Sequence, residues 1–168
     1  PGEHYLQARL KAAVVLGKLA KVDDGRALLR ELSTQKGAEK VQIVQAEAQL
    51  LREAGRYEDA YAVLSQALAE APDSGDLLYD RAMIAERMDK LDVAESDLRK
   101  LIERDPEHAH AYNALGYTLV DRTDRLAEGI GLLEKALQLS PDDPFILDSM
   151  GWAWYKRADH AKAVEFLR

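Results

Sequence analysis

The stretch YNALGYTLVDRTDRLAEGIGLLEKALQLSP, residues 112–141, decides the fold. Tyr112, Leu115, Gly116 and Leu119 come first, and Gly129, Leu133, Ala136 and Pro141 follow after a polar interruption. Leu133 lies four residues after a small residue, and so do Leu64 after Ala60, Leu98 after Ala94 and Leu167 after Ala163. These leucines are 34, 35 and 34 positions apart, and Pro72, Pro106 and Pro141 close three of the units. Self-similarity at this period marks stacked helical hairpins, because one hairpin cannot bury its apolar face without a neighbour.

Each unit reads as a helix A, a short turn and a helix B. Ala48, Ala82, Gly116 and Gly151 on helix A are expected to face Ala60, Ala94, Gly129 and Ala163 on helix B, where bulk would force the helices apart. Leu51, Leu119 and Trp154 are spaced to meet Leu64, Leu133 and Leu167 and to fill the remaining gap. The prolines lack a donor and turn the chain into the next unit, and Asp143 before Pro144 reads as an N-cap with proline at the first helical position. The third unit carries Arg81 and Ala85 where large residues are expected, so it should pack less tightly. The first keeps only Ala13, Leu16, Gly25, Leu29 and a helix-ending Gly37. The fourth has 13 positions from Gly116 to Gly129 where its neighbours have 12, and the extra residue is expected in the turn around 121–125.

These spacings resemble the tetratricopeptide repeat family, whose pattern sets an aromatic, Leu-Gly, an aromatic, Ala, Phe and Pro at such intervals. The resemblance implies an all-α, right-handed solenoid that binds proteins and catalyses nothing itself. It divides the chain into a degenerate unit 6–40, units 41–74 and 75–108, a unit 109–143 with one inserted residue, and a truncated unit 144–168. At a finer level, residues 77–106, 113–125 and 141–157 are similar to proteobacterial multi-repeat lipoproteins tethered to the outer membrane. One of that group is an adaptor for a periplasmic carboxyl-terminal processing protease. That similarity implies a periplasmic setting, a tether in an N-terminus missing here, and a protease or its substrates as partner; the cytoplasm is the alternative. The start without Met and the stop at Arg168 within a repeat read as a fragment of a longer protein.

Composition narrows the classes further. The 168 residues are 47% hydrophobic and 32% charged, as in a folded helical chain. With 30 acidic against 23 basic side chains the net charge is -7, which repels phosphate backbones and argues against nucleic acid. No apolar run suffices to span a bilayer. The absence of cysteine removes thiolate chemistry and disulfides while suiting either compartment. His108 and His110 point to different sides of a helix, and His4 and His160 lie in distant units, so no metal or cofactor is expected. Gly129-Ile-Gly131 lacks a preceding strand and a third glycine, and no Gly-x-Ser-x-Gly is present. No catalytic residue is assigned.

In this architecture the inner faces of the A helices line a groove. The residues assigned to it are Gln45, Gln49, Tyr79, Met83, Asn113, Tyr117, Trp152 and Tyr155, with Phe145 beside them. Rings supply contact area at low entropy cost and amides meet main-chain groups, which suits a peptide; the plainer alternative is that the rings pack on the neighbouring helix A. The lysine and asparagine clamp of chaperone adaptors is absent, since its places carry Gln45, Gln49, Asp80, His110 and Ala114. Six acids (Glu53, Asp76, Asp80, Glu86, Asp121, Asp148) against three bases (Arg52, Arg87, Lys156) favour a neutral or basic segment. The rival roles are a structural spacer or oligomerisation unit and an enzyme whose catalytic domain lies elsewhere in the protein.

Overall fold

Helix-forming stretches punctuated at regular intervals become ten helices among the described residues, 3–32 and 37–167 of a computed structural model, which contain no strand. They are α1 (Glu3–Lys18), α2 (Val22–Arg30), α3 (Ala38–Glu53), α4 (Tyr57–Glu70), α5 (Gly75–Arg87), α6 (Leu91–Arg104), α7 (Ala109–Arg122), α8 (Leu126–Leu139), α9 (Pro144–Lys156) and α10 (His160–Phe166). Residues 33–36 of the first expected unit, Arg168 of the fifth, and Pro1 and Gly2 lie outside the described residues. No described helix is long and apolar enough to cross a membrane. The chain forms two compact units, residues 1–89 and 90–168.

In the first unit α1 pairs with α2 and α3 with α4, and α5 packs on α3 and α4. Ala13 is buried opposite Gly25, and a Cβ on Gly25 would stand 3.2 Å from the carbonyl oxygen of Ala13. Leu29, Leu51 and Leu64 are fully enclosed, as are Ala60 and Ala82. Arg81 is half-buried: it donates to Ser65 Oγ at 3.3 Å and lies 5.9 Å over the Tyr61 ring, so its stem packs while its head keeps polar partners.

In the second unit α6 packs on α7, α7 pairs with α8, and α9 pairs with α10 while touching α7 and α8. Among the described glycines, those of α7 and α8 make the closest backbone-to-backbone approach. A Cβ on Gly116 would meet the carbonyl oxygen of Gly129 at 2.8 Å, and one on Gly129 would meet that of Gly116 at 2.8 Å. Leu133 packs against Gly116, and Leu98, Leu115 and Leu119 are likewise fully enclosed.

The turns between paired helices share one device. Ala20, Gly55 and Ala158 adopt positive φ two residues past α1, α3 and α9, at 59°, 72° and 63°. Six-to-one bonds close these turns, from Lys21 N to Leu16 O at 2.8 Å, Arg56 N to Leu51 O at 2.8 Å and Asp159 N to Trp154 O at 3.0 Å. Asp89 after α5 has the same backbone sign, at 60°. The α7–α8 turn differs. Its extra residue does not lengthen the turn; it lengthens α7 to 14 residues where α5 and α9 have 13. Thr123 is extended there, donates through Oγ1 to Leu119 O at 2.6 Å and accepts from Arg125 N at 3.0 Å, so a side chain replaces the left-handed residue.

Candidate functional site

The eight groove candidates divide four and four between the units. In the first, Gln45 and Gln49 rise from α3 one turn apart, and Tyr79 and Met83 do the same on α5. Gln45 Nε2 donates to Asp80 Oδ2 at 2.8 Å, tying α3 to α5, and Gln49 Nε2 donates to Glu53. Burial pushes the Asp80 carboxyl above its usual range, and the Gln45 bond works against that rise. Gln45, Gln49, Arg52 and Asp80 close over a small gap, whereas Tyr79 and Met83 face a larger cleft of about 610 Å³ with Arg52, Glu53, Glu86, Arg87 and Tyr57. Tyr57 was not legible as a groove residue, because it opens helix B and only the three-residue turn carries it there.

In the second unit Asn113 and Tyr117 stand on α7, and Trp152 and Tyr155 on α9. Asn113 Oδ1 is buried with no hydrogen-bond partner among the described residues. Tyr117, Trp152 and Tyr155 gather with Asp148, Gly151 and Leu167 around a cleft of about 350 Å³. Trp152 is held from two sides: its Nε1 donates to Asp121 Oδ1 at 3.0 Å, and its ring stacks on Tyr155 at 5.5 Å and 19°. Lys156 Nζ lies 5.3 Å over the same ring and 3.9 Å from Asp121 Oδ1. Phe145, seven residues before Trp152 on the same helix face, is 72% exposed. Asp143 caps α9, accepting from Phe145 N at 2.9 Å and Ile146 N at 3.2 Å.

One expectation is corrected. Leu167 does not fill a core gap against Trp154; it follows the end of α10 and is 57% exposed. It lies over Gly151, where an added Cβ would stand 2.6 Å from Leu167 Cγ, and lines the aromatic cleft. Trp154 is buried instead beneath Lys162 and Arg157, whose cationic groups stand 4.1 and 5.3 Å from its ring. The small residue at Gly151 lets Leu167 approach the inner side, which helical spacing alone does not predict.

Paired helices with a small-residue seam and an aromatic cleft on the A-helix face define a repeat scaffold for protein binding. Profiles of the tetratricopeptide repeat match residues 45–88 and 79–144, over half of the chain, which belongs to that family. A TPR repeat-containing protein of Pseudomonas aeruginosa is 40% identical over 168 residues, all of this chain and 28% of that protein. Bacteriophage adsorption protein A of Escherichia coli is 33% identical over 111 residues, 66% of this chain and 11% of that protein. The chain therefore spans under a third of the curated relatives it matches. Among solved structures, MamA of Desulfovibrio magneticus has a TM-score of 0.77 at 20% identity, covering 99% of this chain and 92% of that one. A tetratricopeptide repeat protein of Parabacteroides merdae also scores 0.77, at 12% identity, with 96% and 63% covered. The fold is the all-α tetratricopeptide solenoid type, whose members are in general non-catalytic interaction scaffolds.

Proposed function

We propose that this chain is a protein-interaction scaffold that holds a peptide or protein segment against the inner faces of its A helices, in a cleft in each unit. The observation that carries the reading is the aromatic cleft of the second unit. Tyr117 and Tyr155 are 39% and 55% exposed, yet Trp152 between them is already fixed by Asp121, so ring area is displayed with little ordering left to do. A ligand segment that is neutral or basic fits the acids around it, because Lys156 is occupied by Asp121.

The test is an array of overlapping peptides from candidate partner proteins probed with the 168-residue chain. Tyr79→Ala, Tyr117→Ala and Trp152→Ala should each weaken captured signals by about tenfold while leaving helical circular dichroism in place. Retained binding in all three would refute the cleft as the working surface and favour the spacer role. The five-unit division at 6–40, 41–74, 75–108, 109–143 and 144–168 belongs to the same proposal. So does an outer-membrane-tethered, periplasmic setting with a protease or its substrates as partner, supported by the resemblance of residues 77–106, 113–125 and 141–157 to tethered lipoproteins. Fractionation and lipid labelling of the full-length protein test the setting, and recovery in the cytoplasm would overturn it.

A further inference from the structure

We infer that the aromatic cleft of the second unit is a socket for an arginine side chain of the bound segment. The inference rests on the proposed function and names the chemistry recognised there. Three rings line the cleft, and the carboxylate among its walls is that of Asp148, one turn before Trp152 on α9. Asp148 is exposed and makes no ion pair or hydrogen bond among the described residues. The second nearby acid, Asp121, is spent on the Trp152 indole and on Lys156. With Lys156 set against Asp121, the charge of Asp148 is left without an ion-pair partner among the described residues.

Rings around an unpaired carboxylate favour a flat cation. A guanidinium is planar and weakly hydrated, stacks on aromatic faces and offers a donor fork to a carboxylate, whereas an ammonium is a strongly hydrated point charge. The chain's own Lys156 stands 5.3 Å over Trp152, so the ring already bears one cation. Lys156 also works against an incoming charge. Its removal should therefore strengthen arginine binding, a direction that a purely apolar cleft would not produce.

The experiment uses three capped heptapeptides, acetyl-Gly-Ser-Gly-Xaa-Gly-Ser-Gly-amide, with arginine, citrulline or leucine at the centre. Citrulline keeps the shape of arginine without its charge. Titrations follow the Trp152 indole N–H resonance, assigned with Trp152→Phe. The arginine peptide should bind at least about fivefold tighter than the other two. Asp148→Asn should erase that margin and leave citrulline binding unchanged, and Lys156→Met should widen the margin. Equal binding of citrulline, or a preference for leucine, overturns the socket while leaving the cleft a binding surface. If no heptapeptide moves the resonance but arrayed partner segments still depend on Trp152, the socket alone falls; if those fail too, the scaffold reading falls with it.

Discussion

Two tryptophans two positions apart on α9 do different work. Trp154 is 9% exposed and its Nε1 has no hydrogen-bond partner among the described residues, so it contributes area and cation contacts but also an unmatched donor. Trp154→Ala should cost about 3 to 5 kcal/mol, while Trp154→Phe should cost much less because it removes the orphaned N–H together with part of the ring. Trp152→Ala should cost about 1 to 2 kcal/mol, since it forfeits one hydrogen bond and one stacked pair. Thermal melts of the three variants check the order, and equal losses for Trp152→Ala and Trp154→Ala would contradict it. The left-handed turn residues allow the opposite experiment. Ala20 and Ala158 carry a Cβ at positive φ, so Ala158→Gly should stabilise by up to about 1 kcal/mol and raise the melting temperature by a few degrees. A lower melting temperature would mean that Ala158 has contacts worth more than the strain.

At the scale of elements, the α7–α8 hairpin rests on its two glycines. Gly129→Leu would drive a side chain into Val120 Cγ2, 2.7 Å from the position of its Cβ, and into the Gly116 backbone. Opening such a seam costs about 1 to 3 kcal/mol or more, and circular dichroism should show a lowered, broadened melt. An unchanged melt would refute the hairpin register. Small residues followed by leucine four positions later made this seam readable from the sequence, because only close backbones need glycine or alanine at fixed intervals. The turns were less readable. Ala20 and Ala158 give no turn signal, since their positive φ goes with the six-to-one bond that closes the end of the preceding helix. Thr123 hid the longer α7 for a related reason: it acts through a side-chain bond to Leu119, not through backbone preference. Tyr57 and Leu167 reach their clefts only through the paths of a turn and a helix end, which periodicity does not encode.

Across the whole molecule, acid stability should follow the arginine-paired carboxylates. In the second unit Arg125 bonds Glu95 and Glu128, and Arg99 bonds both again, closing a four-membered network between α6, α8 and the turn before α8. The Arg125 bond is the first cause holding Glu95 below the usual carboxylate range, and the Arg99 bond is the first for Glu128. In the first unit Arg56 holds Asp23 down in the same way. A carboxyl with a depressed folded pKa contributes stability above its unfolded value and loses it as pH falls through the folded value, so melting temperatures should drop below about pH 4. These groups are largely exposed, so 1 M salt should shrink the effect, and Glu128→Gln should flatten it. Asp80 has the opposite sign: its raised carboxyl disfavours the folded state at neutral pH and is relieved on protonation. Asp80→Asn, which keeps an oxygen for Gln45 Nε2, should raise the melting temperature at pH 7 and steepen the decline into acid. Melts from pH 7 to 3 on the chain and both variants separate the contributions; a Glu128→Gln profile parallel to the parent's would show that the network carries no stability, and a lower neutral melting temperature for Asp80→Asn would show that its charge is compensated in place.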